Sequence, residues 1–199
     1  MKKRVLSILG ICVLLLAACA SPGTETIEAP VEVTAAPALT KASPEAMDPA
    51  RPFELNSAAF EQGEPIPVQY SCDGEDISPT LTWGDPPEGT QSLALIMDDP
   101  DAPGGTWDHW VVFNIPAGVR ELPEAVSAGD VSATFGKNSW GRGDYGGPCP
   151  PGGTHRYFFK LYALDTTFSL DETANKGQVL SAIDGHILAE TELMGTFSR

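Results

Sequence analysis

Hydrophobic positions along this chain fall in short clusters that either alternate with polar residues or run continuously apolar for a few positions. The clusters are Phe53-Glu54-Leu55, Ile66 to Ser71, Thr80 to Trp83, Ser92 to Met97, Trp110 to Ile115 and Tyr157 to Leu164. Gly, Pro, Asp and Ser groups separate them, among them Asp85-Pro86-Pro87 and the stretch from Pro148 to Gly153. Those residues supply turn and loop chemistry, so the pattern predicts a mainly β domain, most simply a sandwich. One helix is expected from about Lys176 to Leu188, where Val179, Leu180, Ile183 and Ile187 fall on one face. A final strand, roughly Glu190 to Phe197, follows it, and no internal repeat is visible.

The N-terminal region has a different pattern. Lys2, Lys3 and Arg4 precede an apolar stretch from Val5 to Leu16 that is short for a membrane span and matches the grammar of a signal peptide. It ends in Leu16-Ala17-Ala18-Cys19, which resembles a bacterial lipobox. Residues 1–18 are therefore expected to be removed, with Cys12, leaving Cys19 as a lipid-modified first residue. Several acyl chains at one terminus give stable anchoring, which a single chain does not. Residues 19–50 are rich in Ala, Pro, Thr, Glu and Ser, with Pro22, Pro30, Pro37, Pro44 and Pro49 and almost no large apolar side chain. Such a segment cannot bury enough surface to offset its ordering entropy, so it reads as a tether that spans on the order of 30 Å as a coil. The expected location is extracytoplasmic, lipid-anchored at a cell membrane or outer membrane.

Residues 51–199 have the size of one domain with a real core. The formal net charge of the chain is −15, and loss of the basic leader makes the mature form more acidic still. That balance argues against nucleic acid as a partner and against electrostatic docking onto anionic lipid. Only Cys72 and Cys149 remain in the domain. In an oxidising compartment such a pair is expected as a disulfide, with two free thiols as the alternative. Neither has a partner at zinc-finger spacing.

Three segments carry candidate chemistry. The run Ser92 to Met97 leads into Asp98-Asp99-Pro100-Asp101-Ala102-Pro103, and after a Gly-containing loop the next run opens with Trp107-Asp108-His109-Trp110. If the two strands pair antiparallel, Asp99, Asp101 and His109 meet at one edge of the sheet. The third segment, Gly146 to Tyr157, is a Pro/Gly loop leading into a strand on which His155 shares a face with Tyr157 and Phe159. A Gly-rich backbone can turn N–H groups toward an anion, two imidazoles can bind it, and an aspartate can set a ring's tautomer. The same residues also read as Asx turns before proline, strand-start histidines and a plain loop.

The motifs Asp99-Pro100-Asp101-Ala102-Pro103, Asp108-His109-Trp110-Val111-Val112 and Gly147-Pro148-Cys149-Pro150-Pro151-Gly152-Gly153-Thr154-His155-Arg156-Tyr157 resemble the phosphatidylethanolamine-binding protein family. They are most similar to its bacterial, Raf kinase inhibitor-like branch, which also shows segments like Cys72 to Pro79 and Gly185 to Glu190. The resemblance spans Phe53 to Arg199. It implies a sandwich of two antiparallel sheets with a short C-terminal helix and a small pocket for phosphate, phosphorylated head groups or acetate-like anions. By matching position the pocket residues are Asp99, Pro103, His109, Gly147, Pro150, His155 and Tyr157, with Asp101 and Trp107 as structural wall. Cys149 among the loop prolines departs from the family pattern, and so does the loop's length, which loosens the placement of Gly147 and Pro150.

Other signals carry less. Gly141 to Gly146 spells GxGxxG, but the following Gly-Pro-Cys-Pro-Pro cannot open the helix a dinucleotide fold requires. Arg142-Gly143-Asp144 has no supporting context. A cation among Asp98, Asp99, Asp101 and the histidines would want more oxygen ligands, so no metal is expected. His186 reads as a core or cap residue. The expected function is a non-enzymatic binding module for a small anionic or phosphorylated ligand, with no cofactor. The alternatives are a protein-interaction or protease-inhibitor role through surface loops, with an unknown protein target, and a hydrolase using His109 and Asp99, which lacks a nucleophile-elbow serine.

Overall fold

The computed structural model describes residues 52–199. The signal peptide, Cys19 and tether assigned above lie outside the described residues. Eight strands form two antiparallel sheets. They are β1 (Leu55–Ser57), β2 (Leu81–Trp83), β3 (Ser92–Asp99), β4 (Trp107–Pro116), β5 (Glu121–Leu122), β6 (Thr134–Gly136), β7 (Thr154–Leu164) and β8 (Ile187–Ser198), with one helix, α1 (Lys176–Ile183), between the last two. The small sheet has the order β1-β2-β5 and the large one β6-β4-β3-β7-β8.

Every residue of the middle strand β3 is buried. This is why Ser92 to Met97 reads as a continuous apolar run, since a strand covered on both faces has no solvent side to mark with polar residues. Leu93, Leu95 and Met97 point into the main core, shared with Leu81, Trp83 and Leu122 of the small sheet. Ala94 and Ile96 point the other way, into a second core closed by Val179 and Ile183 of α1. Those two side chains sit one helical turn apart, and burying each is worth roughly 2 kcal/mol. The helix opens with a capping box in which the Asn175 side chain accepts from the Gln178 N–H and Gln178 reaches back to the Asn175 N–H.

Several boundaries differ from those expected. The helix stops at Ile183, because Asp184 leaves helical geometry and Gly185 takes a positive φ of 78° that only glycine adopts without strain. Ile187 and Leu188 therefore belong to β8, and Leu180 is exposed. Ile66 to Ser71, expected as a strand, forms a 3-10 turn over Val68–Tyr70. Pro65 and Pro67 remove two amide donors there, and Ile66 is held by donating its N–H to Thr196 O. The strands β3, β4 and β7 extend further toward the chemistry-bearing residues than their apolar runs do.

Cys72, after the 3-10 turn, and Cys149, in the loop before β7, form a disulfide with Cα atoms 5.4 Å apart. The Cys72 N–H also donates to Pro148 O at 3.1 Å. The bond links residues 77 apart in sequence. Closing a loop of that length in the unfolded chain is worth on the order of 4 kcal/mol. Replacing both cysteines with serine is expected to lower unfolding free energy by about that amount, read as a lower urea midpoint; an unchanged midpoint contradicts it.

Candidate functional site

The site forms where the end of β3, the start of β4 and the start of β7 lie side by side. Asp98 and Asp99 are consecutive, so strand alternation sends them to opposite faces. Asp98 faces the helix side, where it accepts from Lys160 Nζ at 3.0 Å and Lys176 Nζ at 3.0 Å, and Lys176 reaches Asp108 at 2.6 Å. Asp99 faces the other side. Its Oδ2 accepts the Nδ1–H of His155 at 2.8 Å, and its Oδ1 accepts the amide of Asp101 at 2.8 Å. The Asx turn and the histidine pair are therefore one arrangement, in which Asp99 shapes the Pro-rich loop and orients His155 together.

Pairing between β3 and β4 is irregular at this end. Met97 pairs with Trp110 and Asp98 with Asp108, so His109 is an extra residue on β4. Such a bulge re-aims a side chain. Trp110 stays in the main core, while His109 lines a cavity beside Asp99 and His155. Its Nδ1 lies 2.6 Å from Gly146 O. A carbonyl only accepts, so Nδ1 carries the hydrogen and Nε2 keeps its lone pair. The ring meets Trp140 and Tyr157 edge-to-face, at 5.1 and 5.2 Å between centroids. Burial outweighs its carbonyl contact and nearby carboxylates and pushes the His109 pKa below its ordinary 6.5.

The cavity has a volume of about 580 Å³, and Asp99, Pro103, His109, His155 and the indoles of Trp107 and Trp140 are among its walls. Trp107, which the resemblance implies as structural wall, is among the residues lining the cavity. Asp101 is turned away, gripping Arg156 through both carboxylate oxygens at 2.7 and 2.9 Å, which lowers its pKa to about 2. Three of the expected pocket residues stand behind the wall. Gly147 donates its N–H to Asp76 at 2.6 Å and leaves no room for a Cβ against the Tyr70 carbonyl. Pro150 is buried, and its neighbours Cys149 and Pro151 line the cavity instead. Strand parity turns Tyr157 inward, where it is fully buried beneath His109. Its hydroxyl has no hydrogen-bond partner among the described residues; burial and then the Asp99 charge push its pKa far up, so it remains an O–H. His186 is not in the cavity wall and pairs with Asp165 at 2.8 Å.

Sequence reasoning missed Trp140, Asn138 and the Gly146 carbonyl. Asn138 ties the loop together, donating to the carbonyls of His109 and Asp144 and accepting from the amides of Trp140 and Arg142. Trp140 immediately precedes the Gly141 to Gly146 string, and an aromatic residue beside a Gly-rich loop was the available signal.

This is a two-sheet β module with a polar-floored, aromatic-rimmed cavity at one end. Residues 56–198 match the family model described as phosphatidylethanolamine-binding protein. The chain belongs to that family. A UPF0098 protein of Methanothermobacter thermautotrophicus is 50 % identical over 151 residues, covering 74 % of this chain and 99 % of the relative. One of Aquifex aeolicus is 49 % identical over 152 residues, covering 74 % and 89 %. Among solved structures, a phosphatidylethanolamine-binding protein homologue from Chlamydia trachomatis, CT736, aligns with a TM-score of 0.70 at 45 % identity, covering 74 % of this chain and 97 % of that one. Escherichia coli YbcL aligns at 0.69 and 35 % identity, covering 74 % and 98 %.

The direction of the His109 shift sets a pH dependence. As pH falls, the unfolded chain takes up the His109 proton before the folded one does. Its contribution to stability is therefore full above 6.5 and is withdrawn below it. Ring-nitrogen NMR is expected to show Nδ1–H and a titration midpoint under 6.5, and a midpoint at or above that value contradicts the assignment.

Proposed function

We propose that this protein is a non-enzymatic, membrane-tethered binding module of the extracytoplasmic space whose cavity holds a small anion, phosphate or a phosphorylated head group. The observation that carries the reading is the pair of imidazoles at the cavity, His109 and His155. Each commits Nδ1 to the protein, one to Gly146 O and one to Asp99, which leaves Nε2 as its free ring nitrogen. Buried polar groups are ordinarily satisfied, so atoms left free at one cavity favour a polar occupant. A phosphate group offers both oxygens that accept and an O–H that donates, so it can satisfy ring nitrogens of either kind. The motifs from Asp99 to Pro103 and from Gly147 to Tyr157 support placement in the family's bacterial Raf kinase inhibitor-like branch.

Calorimetric titration with inorganic phosphate tests the cavity. Wild-type protein is expected to bind, and His109→Ala with His155→Ala is expected to abolish the heat; unchanged binding in the double variant removes the pocket reading.

The membrane attachment rests on the basic leader, the apolar stretch and Leu16-Ala17-Ala18-Cys19. Acyl chains on Cys19 hold the module at the surface, and the acidic domain adds no electrostatic attraction to anionic lipid. Cys19→Ser is expected to block incorporation of labelled palmitate and shift the protein from the detergent to the aqueous phase. Equal labelling of the variant contradicts the lipid anchor.

A further inference from the structure

The two histidines at the cavity are held differently, and the difference bears on which anion fits. His155 has a carboxylate at its back, with Asp99 Oδ2 2.8 Å from Nδ1. Of the two rings, only His155 touches a carboxylate among the described residues, which makes it the one placed to donate to a bound oxyanion. His109 has backbone behind it, with the Gly146 carbonyl at 2.6 Å from Nδ1, and is 2 % exposed. Trp140 and Tyr157 fix the ring plane edge-to-face, and turning the ring over within that plane would give up the Gly146 bond. A neutral ring in this pose offers Nε2 as a lone pair, which repels an oxyanion oxygen and accepts from an O–H.

The charged groups around His109 leave this pose intact. Asp99 of β3 is occupied by His155 and the Asp101 amide. Asp101 is paired with Arg156. The neighbouring Asp108 is paired with Lys176 on the helix side of the sheet. From the 138–146 loop, Arg142 lies over Trp140 and pairs with Asp144 at 3.0 Å. Tyr157 from β7 stays protonated. Burial lowers the His109 pKa, in keeping with a neutral ring.

We propose that the cavity is matched to an oxyanion that still carries one hydrogen, accepting that hydrogen at His109 Nε2 while His155 donates to another oxygen. The inference rests on the anion-pocket reading above. It separates ligands of the same shape. Inorganic phosphate keeps an O–H at neutral pH, whereas sulfate carries none. A phosphomonoester keeps one only as its monoanion, below its second pKa of about 6. Replacing an accepted O–H by a lone pair facing a lone pair changes affinity by about ten- to a hundredfold.

The test is calorimetry on the full chain with sodium phosphate, sodium sulfate and phosphoethanolamine, at pH 5.5 and 7.5. Phosphate is expected to bind at least tenfold more tightly than sulfate at pH 7.5. The affinity of phosphoethanolamine relative to phosphate is expected to drop about tenfold between the two pH values. That ratio cancels changes in the protein's own charge. His109→Gln, whose amide can turn a donor toward the ligand, is expected to bring the phosphate-to-sulfate ratio close to one. Equal binding of phosphate and sulfate by the wild type overturns the hydrogen-matching inference and leaves the anion pocket standing. Failure of all three to bind removes the pocket reading and this inference with it. A phosphoethanolamine ratio that does not move with pH also overturns the inference. With the expected results in hand, retention of phosphoethanolamine at pH 5.5 supports a head-group source, and binding of phosphate alone supports the free ion.

Discussion

The central strand β3 is buried on both faces along all eight residues, and the other elements are arranged around that burial. One face needs the small sheet over Leu93, Leu95 and Met97, and the other needs α1 over Ala94 and Ile96. Removing either cover would expose a continuous apolar surface in the middle of a five-stranded sheet. The strand ends in two aspartates, and the alternation that sorts its apolar residues sorts them as well. Asp98 anchors the N-terminal residue of α1 through Lys176, and Asp99 orients His155. The carboxylates pinning the helix layer and forming the cavity floor are thus adjacent in sequence and separated by the sheet.

The cavity depends on irregular pieces held by regular ones. His109 reaches it because β4 carries one more residue than β3 at that point, and the ring is then fixed by the Gly146 carbonyl. Gly146 in turn sits in a loop tied inward by Asn138, by Gly147 to Asp76, and by the Cys72–Cys149 bond. The disulfide and the close backbone packing at Gly147 account for a loop rich in proline and glycine holding one conformation. Gly147 and Pro150 contribute as supports of that loop, and the surface facing the cavity belongs to their neighbours.

Joining the cavity to the proposed tether gives a consistent division of labour. Under that proposal acyl chains on Cys19 would attach the protein to a membrane, and the acidic domain would not need to bind lipid in order to stay near one. Its cavity can then be selective for a small polar ligand, with Trp107 and Trp140 at the rim.

Much of this was legible in the chain alone. The β class, the helix around Val179 and Ile183, and the inward face of His155 with Tyr157 and Phe159 follow from periodicities that each strand or helix expresses locally, whereas the meeting of Asp99 with His109 needed the further premise that β3 and β4 pair antiparallel. The family motifs placed Asp99, Pro103, His109 and His155 together, and all four line the cavity. Tertiary structure decided the rest, because the causes act between segments far apart in sequence. The bulge at His109 exists only as a mismatch between two strands, and no pattern within β4 marks it. Strand ends extend through Asp108 and Thr154 because ladder hydrogen bonds hold polar residues that carry no hydrophobic signal. The partner of each aspartate, Lys160 and Lys176 for Asp98, His155 for Asp99 and Arg156 for Asp101, comes from another strand or from the helix and is set by packing geometry. The sequence determined which residues could do the chemistry; the fold decided which way each one points, since direction is a property of paired strands and not of either strand alone.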